Sequence, residues 1–233
     1  MPWKRTDKWR PCRPNTNSTS TGGGAVESNT GELGYAKSVF PHKEKIAADL
    51  AALVEVPVPA VQIDKVDGHQ GHHAISALHG SESVDATLLE ERLKERYRSP
   101  EVQDAFRKAC GLLPFHAWVA TEDHKNDHLV VSQTQSGEYR VAAIDFAFSM
   151  NFPETGGSVG PSGPPALVAN VDKAVIEATV QRIETTTDEQ IRNVVNALPD
   201  ELVNRADKDK LIAGLLVRRG KIREAMKQQG WLS

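Results

Sequence analysis

Apolar positions change their spacing near residue 80, and that change divides the chain in two. Upstream they come in short runs separated by turn residues. Gly22, Gly23 and Gly24 precede AVES, and the polar turn NTGE leads into LGYAKSVF, which together predict a β-hairpin. Pro41 suits the first turn of a helix. In the adjoining HKEKIAADLAALVE, Ile46, Leu50, Leu53 and Val54 share one face at helical spacing. VPVP stops that helix. AVQIDKV and HHAISAL, joined by DGHQG, predict a second hairpin.

Downstream the pattern turns helical. Residues 84–97 and 100–110 predict helices, and a Gly-Leu-Leu-Pro step leads into FHAWVATEDHKNDHLVVS. LVVS and YRVAAIDF are strand-like runs around the turn QTQSGE, and residues 151–166, rich in Gly, Pro and Ser, predict an irregular loop. Helices are expected over 171–184, 187–197 and 207–229, the last with Leu211, Leu215, Ile222 and Met226 on one stripe. The fold class read from this is α+β, with no internal repeat. Its expected organisation is an N-terminal arm over residues 1–21, a small β-rich lobe over 22–80 and a larger helical lobe over 81–233. The arm combines Trp3, Trp9 and basic residues with the flexible tract NTNSTST, and the tryptophans are its expected docking points.

Composition narrows the class without naming a function. The 233 residues are 39% hydrophobic and 25% charged with a net charge of −3, values of a soluble globule. No apolar run approaches the ~20 residues of a membrane span. The basic start lacks the apolar core of a secretory signal, so a cytoplasmic protein is expected. With Cys12 and Cys110 alone, neither a disulfide scaffold nor a Cys-rich zinc site is available. A pI near 6.2 argues against direct nucleic-acid binding.

Four residues stand out as candidate chemistry. Lys37 lies in an otherwise apolar strand and must reach either solvent or an anionic partner. Glu44 sits near the start of the next helix, beside its buried stripe, where it can turn inward to Lys37 or act simply as a first-turn acid. Asp123 belongs to a connection that packs Asp, His, Asn, Asp and His into six positions (123–128), either a functional loop or an ordinary polar one. Asp145 ends an apolar β run, where a carboxylate needs a cation, a donor or a metal, unless it caps a helix or turn beyond the strand. Other patterns fail. GGSVG at 156–160 lacks the strand–turn–helix context of a nucleophile elbow, and no histidine occurs after His128. His124 and His128 are spaced i, i+4 without a zinc-protease glutamate. His69, His72 and His73 suit a solvated turn better than a metal site.

In chain order these stretches resemble the protein-kinase-like fold, in its HipA-like and phosphatidylinositol 3/4-kinase-like branch. GELGYAKSV resembles the strand bearing the ATP-binding lysine, and KEKIAADLAALVEVPVPAV its helix C ending in a Pro-x-Pro pair. FHAWVATEDHKNDHLVV resembles the catalytic loop, AAIDFAF the metal-binding strand end, and LPDELVNRADKDKLIAGLLVRRGKIREAM the closing helices, so the likeness spans roughly residues 22–228. The resemblance implies a bilobal kinase-like fold using ATP and Mg²⁺. It implies that Lys37 holds the α/β-phosphates and pairs with Glu44, that Asp123 serves the acceptor hydroxyl, and that Asp145 binds the metal. It further implies that Gly22, Gly23 and Gly24, with Ser20 and Thr21, cover the phosphates, and that residues 78–82 form a hinge over the adenine. The sequence departs from the pattern where the second metal ligand should be Asn: His128 stands there, with Asn126 or Asp127 as substitutes.

The implied activity is that of a Ser/Thr protein kinase acting on a protein substrate. The alternatives are a nucleotide- or partner-binding pseudokinase scaffold and a small-molecule or lipid kinase. The lack of a basic amphipathic helix weighs against a membrane substrate. An antitoxin-like or regulatory protein partner is compatible with the resemblance. The length is near that of a bare kinase core, so control is expected from the arm or a partner. Ser18–Thr21 reads either as an autophosphorylation site or as plain linker.

Overall fold

The structure, a computed structural model, describes residues 9–12, 23–77, 84–85, 99–134, 136–152 and 163–233. Five antiparallel strands come first: β1 (Trp9–Pro11), β2 (Gly24–Ser28), β3 (Leu33–Lys37), β4 (Val61–Asp64) and β5 (His73–Ala77), ordered β1-β2-β3-β5-β4. Both expected hairpins form. The β2–β3 turn closes on Ser28, whose Oγ accepts from the backbone amides of Thr30 and Glu32. Gly31 takes φ +83°, a left-handed conformation that a glycine adopts without strain.

Part of the arm belongs to this sheet. Trp9–Pro11 pairs with Pro11 opposite Val26, and Trp9 is fully buried with Val26, Ala36, Val66 and Ile75. Trp9 therefore docks as expected, as an edge-strand residue, while Trp3 lies outside the described residues. Gly34 is what lets these layers meet, because a Cβ there would stand 2.8 Å from Ile75 Cγ2 and 3.1 Å from the Trp9 ring.

Between β3 and β4 runs α1 (Pro41–Leu53), with its proline in the first turn. Its predicted stripe is realised. Ile46, Ala47, Leu50, Ala51 and Val54 enter a core shared with the second lobe, while Ala48 packs with Val61 and Ala74 of the sheet. The helix thus joins the two lobes by its own packing.

The larger lobe contains a three-stranded sheet of β6 (Val84–Asp85), β7 (Leu129–Gln133) and β8 (Tyr139–Ala143), in that order. Its helices are α2 (Pro100–Ala109), α3 (Leu112–Trp118), α4 (Pro165–Val168), α5 (Lys173–Thr185), α6 (Asp188–Asn196), α7 (Arg205–Arg219) and α8 (Ile222–Gln228). Their starts carry strong caps: Ser99 for α2, Asp172 for α5, a full Thr187–Gln190 capping box for α6 and Asn204 for α7. No helix among the described residues is long and apolar enough to cross a membrane.

Three expectations are corrected. The helix predicted over 84–97 does not begin there, because Val84 and Asp85 pair with Val131 and Val130 of β7; residues 86–98 lie outside the described set. The helix predicted over 207–229 is two helices broken at Gly220 and Lys221. Glycine is a weak helix former, yet both halves keep the apolar stripe, so periodicity alone runs through the break. The loop expected over 151–166 ends in the short helix α4, while 153–162 lie outside the described residues. Helix α3, which no sequence pattern marks, is apolar on nearly all sides and wholly buried.

Candidate active site

Strand β3 carries Lys37 to the boundary between the lobes. Burying an ammonium unpaired is unfavourable, and two carboxylates meet it. Lys37 Nζ lies 3.1 Å from Glu44 Oε1 and 3.1 Å from Asp145 Oδ2, with the three side chains 12%, 7% and 19% exposed. Glu44 reaches back from the first turn of α1, so the short seven-residue spacing in sequence suffices for contact. One cation between two carboxylates leaves a net negative charge in the cleft. That charge is the basis for attracting a further cation.

Asp145 supplies the place for it. The residue lies just after β8 in a left-handed conformation, φ +66°, unusual for a side-chain-bearing residue. Its Oδ1 is buried with no hydrogen-bond partner. An orphaned carboxylate oxygen fits Mg²⁺, which is held through one or two carboxylates plus substrate phosphates rather than an all-protein cage. The described residues contain no group of three or more His, Cys, Asp or Glu able to hold a metal by themselves.

The loop bearing Asp123 runs from α3 to a 3₁₀ turn at Asn126–His128 and into β7. It is pinned to the segments on either side of Asp145. Glu122 N donates to Phe148 O at 3.0 Å, Met150 N to Val119 O at 2.8 Å and Ile144 N to His128 O at 2.9 Å. Ala120 and Met150, on these paired segments, are also left-handed at φ +51° and +58°. Such strain persists only where surrounding structure over-determines it, and it gathers at functional sites.

His128 stands among three acids. Its Nε2 is 3.8 Å from Asp123 Oδ2, 3.6 Å from Asp127 Oδ1 and 4.0 Å from Asp145 Oδ2. Its Nδ1 lies 3.3 Å from the Asp123 carbonyl. With Nδ1 on that carbonyl, Nε2 is the ring atom that faces the three carboxylates, where a cation bound between them would meet it. Asn126 is engaged elsewhere, since its Oδ1 accepts from Ala166 N at 3.0 Å and holds the start of α4.

Lys37, Glu44, Asp123, His128 and Asp145 therefore converge, whereas Asn126 supports the neighbouring helix. Gly24 opens β2 opposite Ala36, and a Cβ on Gly23 would strike Tyr35 Oη at 2.6 Å. Both end the β1–β2 connection, beside the strand that carries Lys37. Gly22, Ser20, Thr21 and the expected hinge at 78–82 lie outside the described residues, as does GGSVG. Of the three early histidines, His73 is a buried strand residue rather than part of a solvated turn, its ring 5.6 Å from that of His69.

Two further lysines bond residues of these segments. Lys125 Nζ pairs with Asp123 Oδ2 at 2.9 Å; its position two residues after the aspartate was the available sequence signal. Lys43 is buried, bonds Asn151 Oδ1 at 2.5 Å and lies 4.8 Å from the centre of the Phe40 ring, and burial lowers its pKa. Nothing in the sequence marks it, because its partner is more than a hundred residues away.

Solved structures share this architecture. The crystal structure of a Helicobacter pylori proinflammatory kinase, CtkA, aligns with a TM-score of 0.64 over 93% of this chain and 95% of that one, at 14% identity. The fold is kinase-like. Shewanella oneidensis HipA, solved with HipB and operator DNA, aligns with a TM-score of 0.54 over 93% of this chain and 68% of that one, at 12% identity. No family model matches the chain. No curated protein matches it in sequence. On this kinase-like fold the ion cluster of Lys37, Glu44 and Asp145 lies between the small sheet and the helical lobe.

Proposed function

We propose that the chain is an ATP- and Mg²⁺-dependent phosphotransferase, a HipA-like kinase that phosphorylates Ser or Thr hydroxyls of a protein substrate. The observation that carries this reading is the Lys37 ammonium held between Glu44 and Asp145. The order of its motifs supports the HipA-like and phosphatidylinositol 3/4-kinase-like branch. Phosphoryl transfer requires positioning and charge stabilisation more than covalent chemistry from the protein. Lys37 binds the α- and β-phosphates, and Glu44 keeps it extended towards them. Backbone amides of Gly22, Gly23 and Gly24 cover the phosphates. Asp123 orients the acceptor hydroxyl and takes its proton, and Lys125, already on Asp123, meets the transferred phosphoryl group. Asp145 and His128 would hold the metal, which when bound would supply positive charge against the phosphates.

The test is radiolabelled ATP with casein and with the chain itself as acceptor, read as label on protein and as released phosphate. Wild type should transfer and Asp145→Ala should not; equal incorporation by the two would sink the reading. HipA's structure with HipB also motivates a regulatory protein partner here. A monodisperse native mass equal to one chain, from the native cells, would count against that partner.

His128 in place of the second metal-binding Asn, with Asn126 bonded to Ala166, favours a second reading, a nucleotide-binding scaffold without turnover. Thermal melts separate the two. A ligand at ~100 times its dissociation constant adds about 2.7 kcal/mol, and a gain from ATP that is independent of Mg²⁺, with no transfer, would favour the scaffold.

A further inference from the structure

The Asp123 loop and the Asp145 segment share one support that neither the motifs nor the ion cluster uses. His116, in α3, is wholly enclosed. Its ring stacks on Phe146 with centroids 5.3 Å apart and planes 19° from parallel. It meets the His124 ring edge-on at 5.8 Å. Its Nδ1 lies 3.0 Å from Thr121 Oγ1, and its backbone carbonyl accepts from Thr121 N at 3.1 Å. A single ring therefore touches the residue next after Asp145, the residue next after Asp123, and the hydroxyl at the head of the loop.

The choice of histidine at this point has a physical cost. Its Nε2 is buried with no hydrogen-bond partner, so a phenyl ring would stack on Phe146 without that penalty. What histidine adds over phenylalanine is the bond to Thr121, which ties the loop to the plane that holds Phe146. Burial, helped by His124 and His128, lowers the imidazole pKa to about 3, so the ring stays neutral and places no charge behind the two carboxylates. Phe115, next to it in α3, packs edge-on against Phe146 at 5.7 Å and closes the other side.

We propose that His116 is a positioning residue that sets the Asp123 loop and Asp145 in mutual register, through Thr121 and His124 on one side and Phe146 on the other. It touches neither nucleotide nor acceptor. This inference rests on the phosphotransferase reading for its kinetic consequence but not for its structural one.

Two readouts test it in the full chain. His116→Leu, which removes both the stack and the bond, should lower kcat for phosphate transfer from radiolabelled ATP to casein at least tenfold, with KM for ATP within twofold. His116→Phe and Thr121→Val, milder changes that remove only the bond, should each lower kcat severalfold, and the double variant should be no worse than either alone. Amide hydrogen exchange on the nucleotide-free protein should speed at least fivefold in residues 119–128 and 144–150 of His116→Leu, with α5 to α8 unchanged. If exchange rises evenly over the whole lobe, or if kcat stays within twofold of wild type, the proposal is overturned. If wild type transfers no phosphate while exchange still rises only in those two segments, the phosphotransferase reading fails and the positioning role stands. Should His116→Leu not fold, His116→Phe and Thr121→Val carry the same comparison.

Discussion

The two lobes are held together by different means. The sheet of the small lobe rests on Trp9 with Val26, Ala36, Val66 and Ile75, and on a contact of Ala48, Val61 and Ala74 at its α1 side. The larger lobe has one continuous core running from Ile46 and Leu50 of α1 through Phe106, Phe115, Trp118 and Leu129 to Leu215 and Met226. By packing, α1 belongs to both, with Ile46, Leu50 and Val54 in the larger core and Ala48 against Val61 and Ala74 of the sheet. The consequence falls on the ion cluster. Glu44 stands on this shared helix and Asp145 just after β8 of the larger lobe, whereas Lys37 arrives from the sheet. The candidate site is assembled across a boundary between a heavily packed body and a thinly packed one.

The largest effect should come from the shared cluster. Asp145→Asn keeps the size of the side chain but removes its charge, and phosphate transfer should fall on the order of 10³-fold, measured with radiolabelled ATP. Next, and global rather than local, is the core itself. Trp118 is fully buried and donates to the Leu215 carbonyl at 3.0 Å. Trp118→Ala should lower unfolding free energy by about 3–5 kcal/mol, read by urea denaturation. Trp9→Ala, in the sheet, should instead raise hydrogen exchange in β1 to β5 and raise KM for ATP, while exchange in α5 to α8 stays the same. Parallel changes in both lobes would show that the boundary is not a mechanical one.

Gly34→Ala probes the sheet more gently. The added methyl must displace Ile75 or Trp9, and overpacking of this kind costs about 1–3 kcal/mol, read as a shift in the thermal midpoint. The smallest signal is chemical. Cys12 is partly accessible in the small lobe, while burial pushes the Cys110 thiol up to about 11. A thiol reagent at pH 8 should label Cys12 quickly and Cys110 only on unfolding, because the thiolate is the reacting species. Because the folded state keeps this proton longer than the unfolded one, the Cys110 contribution to stability is present below about pH 9 and declines as pH rises above it.

Much of this was legible in the chain. The β2–β3 and β4–β5 hairpins follow from alternating runs around turn residues, and α1 from its stripe after Pro41. The pairing of Lys37 with Glu44 was legible because each sits at the neighbouring end of an adjacent element. The break at Gly220 was not, since the apolar stripe continues on both sides of it. Nor was the strand at Val84 and Asp85, whose partner lies some forty-five residues on, in β7. The roles of Asn126 and His128 stay open in the sequence because their directions depend on a 3₁₀ turn and on Ala166, which lies forty residues downstream.

Spacing and turn chemistry act over a few residues, and they suffice for most of the strands and helices and for the order of Lys37, Glu44, Asp123 and Asp145. Whether those four meet depends on how α1 packs into the larger core and how the segments at 119–122 and 148–150 pair. Those contacts join residues far apart in sequence. Their cost in chain entropy is repaid only by burial of the assembled core. The same is true of His116: in sequence it is one more residue of a buried helix, and only the tertiary packing brings Phe146, His124 and Thr121 around its ring.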